Sequence, residues 1–358
     1  MQFVNSFIWS EQALTIPTVF GAPTLADVAR AAGVSVATAS RVLSGSTRVA
    51  SPLRRQVAEA AAQLGYEPNP HARALASAGD STVGVVLHDL ANPFFAELVR
   101  GMDEVAAERG RTLLFIAAHR DPQRELAAIS HFRVRRVEAL VIAGSGLESR
   151  EFTQDLAAQL LGFEAGGGRA VLVGRNYGQG DAVLVDNVGG GREVAEELLH
   201  LGHRRFGVIS GPASVTTSRE RMAGVRQALE RAGVALPEES VVYGDYSREA
   251  GRAAARGLLA GGPARPTALI AFNDLMAVGA LAEARSLGLQ VPAELSITGF
   301  DDIPIAQDVQ PELTTVRVPA AEVGALAMRV ALEPRDGVVR VEHVPTRLVR
   351  RQSTAAAP

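Results

Sequence analysis

Two groups of residues in this sequence have the types and spacing to bind another molecule. The first is Val36, Ala37, Thr38, Ser40 and Arg41, on one side of a short helical pattern within TLADVARAAGVSVATASRVLSG, residues 24–45. An arginine on such a helix can pair bidentately with guanine O6 and N7 in the major groove of DNA. Serine and threonine hydroxyls suit phosphates, and small apolar side chains can touch thymine methyls. The second group follows the apolar runs of the remaining chain: Asp89 and Asn92, Arg175 and Asn176, Thr217 and Arg221, Tyr246, Asn273 with Asp274, and Asp301. Asp and Asn hydrogen-bond ring hydroxyls, and an arginine fork takes adjacent hydroxyls or a carboxylate. Phe95 or Tyr246 can stack on a ring face. Asn92, just before Pro93, is expected to cap a helix instead.

Covalent chemistry finds little support. The 358 residues contain no cysteine, which removes thiol nucleophiles, disulfides and cysteine metal sites. All 36 basic residues other than histidine are arginine, so Schiff-base chemistry and the lysine-bearing phosphate loop are excluded. VGGGREVAEEL (188–198) places glycines before a helix but lacks the dinucleotide pattern, and a tight turn is expected there. His200 and His203 have metal-like spacing without a third ligand nearby. No nucleophile–base pair is readable. The expectation is a binding protein, not an enzyme, with no cofactor and no metal.

The elements that must position these residues differ along the chain. In residues 24–45, Thr24 can cap a helix with Leu25, Val28, Ala29 and Ala32 on one face, Gly33 ends it, and Ser35 caps a second helix with Ala39, Val42 and Leu43 inward. A third helix starts near Pro52 with Leu53, Val57, Ala60, Ala61 and Leu64 on one face. Two short helices around a glycine turn make a helix-turn-helix. Asn69 and Pro70 open a two-turn helix, too short to stand alone, on which Leu75 can wedge between base steps from the minor groove. Residues 24–79 carry six arginines against three acids, a local excess of three positive charges in a chain whose net charge is −3. Nonspecific DNA affinity follows that local charge rather than the chain's total.

From residue 80 onward, apolar runs alternate with helical stretches: TVGVVLHD, RTLLFIAA, EALVIAG, RAVLVGRN, AVLVDN, FGVISG, SVVYGD, ALIAFND and LSITGFDD. Continuous apolar runs between helices indicate parallel strands buried on both faces, and ligands of such sheets bind beyond the strands' carboxyl ends. So many strands exceed one comfortable sheet, so the expected fold is an all-α helix-turn-helix head followed by an α/β core of two doubly wound parallel-sheet subdomains. The head spans 24–68 and the hinge helix and linker 69–80. The core spans 81–358, with the first subdomain at about 81–186 and 316–341 and the second at about 187–315 and 342–354. Residues 1–23 read as a disordered extension without the basic start of a secretory signal. No run reaches the ~20 apolar residues of a membrane span, and a cytoplasmic location is expected.

The strings TLADVARAAGVSVATASRVLSG, LGYEPNPHARAL, HDLANPFFAELVRGMDEVA, VDNVGGGREVAEELLHLGHRR, RERMAG, FNDLMAVGAL, ITGFDDIPIAQDVQPELTTVRVP and VPTRLVRRQST together strongly resemble the LacI/GalR family of transcription regulators, over residues 24–354. The resemblance implies a homodimeric repressor on a pseudo-palindromic operator, with a core like that of periplasmic sugar-binding proteins and a small-molecule effector of the sugar or sugar-derivative class. It extends the DNA-contacting set to Thr24, Ser35, Ser44, Arg48, Asn69, Ala72, Arg73 and Leu75. It also implies that Phe95, Thr217, Arg221, Tyr246, Asn273 and Asp301 contact the effector, beside Asp89 and Arg175 from the strand-end reading. Three departures stand out: Ser44 where the family often has Asn, Ala39 for a usual Val, and Gly174 with Arg175 where an Asp is frequent. A solute-binding protein of a sugar transporter, sharing the core fold, is the alternative.

Overall fold

The structure is a computed structural model that describes residues 23–43, 49–66, 80–144, 146–147, 149–177, 180–262, 265–334 and 336–358. The chain divides near residue 80 into two compact units.

In the first unit, helix α1 (Leu25–Ala31) begins at a reciprocal cap. The Thr24 hydroxyl accepts from the Asp27 amide at 3.3 Å, while the Asp27 carboxylate accepts from the Thr24 amide at 3.0 Å. Gly33, at φ +59°, then reverses the chain, and the Val34 amide donates back to the Ala29 carbonyl. Helix α2 (Val36–Leu43) is capped by Ser35, whose Oγ accepts from the Thr38 amide at 3.1 Å. Helix α3 (Ser51–Leu64) carries Pro52 in its first turn and ends at Gly65, also left-handed. Val28, Ala29, Ala32, Ala39, Val57, Ala60 and Ala61 form the core, ringed by Leu25, Val34, Val42, Leu43 and Tyr66. Each fully buried valine contributes about 1.5–3 kcal/mol. Leu53 and Leu64, expected inward, are 37% and 40% exposed. They lie in the end turns of a helix about 21 Å long, and α1 and α2, about 10–12 Å each, cannot cover both ends.

The second unit contains two parallel sheets. The first has six strands in the order β11-β5-β4-β3-β1-β2, built from β1 (Asp80–Leu87), β2 (Thr112–Ala117), β3 (Val137–Ala143), β4 (Arg169–Val173), β5 (Asp181–Val185) and β11 (Val341–Val344). The second has the order β7-β6-β8-β9, from β6 (Phe206–Ser210), β7 (Val241–Tyr243), β8 (Ala268–Ala271) and β9 (Ser296–Thr298). A small antiparallel pair, β10 (Thr315–Arg317) and β12 (Arg347–Val349), accompanies them. Strand β11 runs parallel to β5 with Val341 opposite Ala182, so residues 342–344 stay with the first sheet, whereas the sequence reading put them in the second subdomain.

The helices are α4 (Pro93–Glu108), α5 (Pro122–Val134), α6 (Arg150–Ala165), α7 (Asn187–His200), α8 (Thr216–Arg231), α9 (Arg248–Leu259), α10 (Asp274–Ser286), α11 (Ile305–Asp308) and α12 (Ala320–Leu332). Three helix pairs cross on reciprocal glycines. A Cβ at Gly191 would lie 2.2 Å from the Arg221 carbonyl oxygen, and one at Gly224 2.0 Å from that of Val188, which brings α7 and α8 into backbone contact. Gly101 and Gly324 do the same for α4 and α12, as do Gly251 and Gly279 for α9 and α10. The Gly189–Gly191 run is therefore not the expected tight turn. It is the first turn of α7, buried, and its last glycine sets the distance to the helix that carries Arg221. Among the described residues no helix is long and apolar enough to cross a membrane.

Candidate functional site

A cleft lies between the two sheets, at the position where parallel α/β sheets bind small molecules. The carboxyl ends of the parallel strands supply its lining: His88 after β1, Gly144 after β3, Val173 and Gly174 at β4, Val185 and Asn187 at β5, Asn273 after β8 and Asp301 after β9. Thr217 and Arg221 come from α8, Tyr246 from the turn after β7, and Asn92, Phe94 and Phe95 from the start of α4. Tyr246 at φ +71° and Asp301 at φ +105° hold backbone conformations that non-glycine residues rarely adopt, as functional sites often do.

Arg221 organises the floor. Its Nε donates to Asn187 Oδ1 at 2.9 Å, its Nη1 to the Phe272 carbonyl, and its Nη2 to Asp301 Oδ1 at 3.0 Å, with the guanidinium 3.6 Å from the Phe300 ring centre. Burial raises the Asp301 carboxyl to about 6 against the pull of Arg221. The neighbouring Asp302 anchors this loop by accepting from Arg317 and Arg351, each at 2.6 Å. Asp274 is buried beneath it. Its carboxylate accepts from the Ile303 amide at 2.8 Å and the Thr315 hydroxyl at 2.5 Å, and burial lifts its pKa well above the usual carboxylate range. Asp274 thus shapes the loop and does not line the cleft.

On the opposite wall Phe95 is buried edge-to-face against Phe94, with ring centres 5.4 Å apart. The Tyr246 hydroxyl meets Ser218 Oγ at 2.6 Å, and burial raises its pKa. A Cβ at Gly211 would lie 2.1 Å from Tyr246 Cζ, so the ring depends on that glycine for its place. Two strands of contact join the lobes at the rim. The amides of Gly146 and Thr216 bond reciprocally, to Thr216 Oγ1 at 2.9 Å and to the Gly146 carbonyl at 3.0 Å. Arg120, from the turn after β2, donates to the Asp245 carbonyl at 3.4 Å and lies 5.0 Å from the Tyr246 ring centre.

Six of the eight residues expected to face the effector therefore line one cleft: Phe95, Thr217, Arg221, Tyr246, Asn273 and Asp301. Asn273 also works structurally, since its Oδ1 caps α10 at the Met276 amide and its Nδ2 donates to the Tyr246 carbonyl, each at 2.9 Å. Asn92 caps α4 through the Phe94 amide as expected, and still reaches the lining. Two expectations need correction. Asp89 is outside the lining, its Oδ1 accepting from the Ala91 amide at 2.9 Å to close a local turn. Arg175 is also outside it: the left-handed Gly174 turns the chain, and Arg175 is buried against Glu125. Asn176 likewise does not contribute. Glu125 holds the cleft residue His88 as well, with Nε2 3.6 Å from Oε2. Burial works against the Glu125 charge, but Arg175 and His88 beside it win and keep its pKa low; burial lowers that of His88. His88, Arg120 and Asn187 also line the cleft and escape the sequence reading, although His88 stands next to Asp89.

The other candidate surface is α2. Val36 is 49% exposed, Ala37 and Arg41 are exposed, and Thr38 and Ser40 are half-buried beside them. Thr38 Oγ1 and Ser35 Oγ lie 2.8 Å apart, so both hydroxyls are tied to the start of the helix. Ser44, Arg48, Asn69, Ala72, Arg73 and Leu75 fall outside the described residues.

Residues 24–69 match the family described as bacterial regulatory proteins, lacI family, and residues 195–354 match a periplasmic binding protein-like domain. The chain is 37% identical to the transcriptional regulator GalS of Salmonella typhimurium over 93% of its own length and 96% of that protein. It is 35% identical to the regulator DegA of Bacillus subtilis, over 93% and 98% respectively. The chain belongs to the LacI family. Its fold matches the lac repressor dimer bound to operator and the anti-inducer ONPF, with a TM-score of 0.83 at 28% identity, covering 94% of this chain and all of that one. A CelR–cellobiose complex matches with a TM-score of 0.68 at 30% identity, over 92% and 99%. This LacI-family chain is accordingly a DNA-binding transcriptional regulator, and the alternative of a transporter's solute-binding protein is not favoured.

Proposed function

We propose that this regulator is a cytoplasmic homodimer that represses transcription from a pseudo-palindromic operator and releases or tightens its grip when a small sugar or sugar derivative occupies the cleft. The observation that carries the reading is the union, in one chain, of a capped helix-turn-helix with an exposed α2 face and a two-lobed cleft whose floor is the Arg221–Asp301 pair. Val36, Ala37 and Arg41 read base edges, and Thr24, Ser35, Thr38 and Ser40 meet the backbone. On sequence grounds Leu75 opens the central base step. The names of the structural relatives, which include complexes with cellobiose, ribose and a lac anti-inducer, support a sugar-sized effector. Dimerisation is supported by the sheet edges: Leu114 and Phe115 on edge strand β2 and Tyr243 on edge strand β7 are 38%, 47% and 50% exposed. An effector can shift DNA affinity only by its differential affinity for two states of the core.

Selection of bound fragments from a genomic DNA library by the full-length protein tests this directly. A palindromic consensus is expected, and Arg41→Ala should lose about 1–3 kcal/mol at one base position in each half-site. Uniform weakening on every sequence would make Arg41 a phosphate contact, and no consensus at all would refute the reading.

A further inference from the structure

Among the described residues, one charged side chain facing the cleft makes no direct ion pair. Arg221 is matched by Asp301 at 3.0 Å and by two neutral acceptors. Arg175, behind the wall, is matched by Glu125. His88 is buried, and burial disfavours its protonated form. The rest of the lining consists of amide, hydroxyl, aromatic and aliphatic side chains. That leaves Arg120. Among the described residues no carboxylate comes within salt-bridge distance of it. Its contacts are the Asp245 carbonyl at 3.4 Å and the face of the Tyr246 ring. The exposed Asp245 carboxylate accepts from the Ser247 amide at 2.9 Å and feels the Arg120 charge, which helps lower its pKa, without a direct ion pair between the two side chains.

The backbone shows that this placement is held. His119 and Arg120 are consecutive non-glycine residues at φ +53° and +59°, a costly pair of conformations that persists only where the surrounding structure dictates it. Their effect is to carry the guanidinium from the first lobe across the cleft to the second. A half-buried guanidinium with no direct ion pair is expensive to cover with a neutral ligand, whereas a carboxylate or phosphate accepts its planar fork in two parallel hydrogen bonds.

We propose that the effector of this regulator is an anionic sugar derivative, its carboxylate or phosphate received by Arg120 at the mouth of the cleft while the Arg221–Asp301 pair takes ring hydroxyls. The proposal rests on the cleft being the effector site. It makes Arg120 a specificity-determining residue, absent from the contacts that the family resemblance implies, and it gives the Arg120–Tyr246 contact the role of a placeholder for the ligand's charge.

Matched pairs of probes test it: D-galacturonate against D-galactose, D-glucuronate against D-glucose, and D-glucose 6-phosphate against D-glucose. Thermal unfolding of the full-length protein and titration calorimetry supply the readouts. At least one acid or phosphate should raise the melting temperature and bind about 10- to 100-fold more tightly than its neutral partner, the ratio expected for a charge-assisted hydrogen bond. The uronates and the phosphate distinguish the two sources of charge. Arg120→Gln should bring that ratio close to one while retaining the circular dichroism spectrum of the parent. A neutral sugar that binds as tightly as its acid, or an acid preference that survives Arg120→Gln, overturns the proposal and leaves the sugar-effector reading standing. Failure of every probe in both classes overturns both.

Discussion

Replacing Arg221 by methionine should destabilise this protein in a way that depends on pH, and the dependence can be worked out from the site. The substitution keeps bulk over the Phe300 ring but removes the donors to Asn187 Oδ1, the Phe272 carbonyl and Asp301. Removing one partner of a buried ion pair ordinarily costs about 3–5 kcal/mol, because a charge is stranded. Here the stranded charge has an escape, since Asp301 already titrates at about 6, against an ordinary value of 3.8. A carboxyl that binds its proton more tightly folded than unfolded loses stabilising influence as pH rises through its folded pKa, then contributes a constant amount above it. Without Arg221 the folded pKa climbs further, and the decline continues above pH 6. The electrostatic part of the loss is therefore small at pH 5.5 and grows between pH 6 and pH 8, by on the order of 1 kcal/mol per pH unit. The two other buried acceptors add about 1–3 kcal/mol each at every pH if they stay unpaired. Urea unfolding followed by circular dichroism at pH 5.5, 7 and 8 measures the difference. A loss of stability identical at pH 5.5 and pH 8 would refute the claim that Asp301 is held ionised by Arg221.

Three further outcomes follow from the geometry. Gly224→Ala places a methyl 2.0 Å from the Val188 carbonyl oxygen, so α7 and α8 must separate, at a cost of about 1–3 kcal/mol and with weaker effector binding because Arg221 rides on α8; an unchanged melting temperature would show that the helices have room. Thr24→Ala removes the reciprocal cap with Asp27 and should lower the protection of α1 amides in hydrogen exchange by about 1 kcal/mol while leaving the core's amides unaffected. Phe115→Asp puts a charge on the apolar edge strand β2 and should shift the sedimentation coefficient of the protein toward that of a monomer.

What the sequence disclosed was governed by how each element is buried. Strands β1 to β9 are legible because they are continuous apolar runs, the signature of parallel strands, even where the edge strands β2 and β7 leave apolar side chains exposed. Strands β10 and β12 are three residues long, and β11 exposes Val341, Glu342 and His343, so neither length nor pattern announces them. The same logic divides the cleft. Arg221 and Asp301 are recognisable from a polar residue's position just past a strand or on the helix after it. Asp89 and Arg175 satisfy that rule too, but the local backbone turns one into a capping group and the other toward Glu125. Arg120 was invisible because its place depends on two left-handed non-glycine residues, for which side-chain type gives no warning. The glycines at 189–191 were misread because a glycine that permits a helix crossing looks the same in sequence as one that permits a turn.

The central claim is that occupancy of the cleft and affinity for DNA are coupled in this chain, and reciprocity tests it most directly. Fluorescence anisotropy gives the operator Kd of the full-length protein with and without a saturating sugar from the probe panel, and calorimetry gives the sugar Kd with and without saturating operator. The account predicts that the two affinities change by the same factor, in the range of about 5- to 150-fold. A sugar that binds the cleft tightly and leaves the operator Kd unchanged would contradict it.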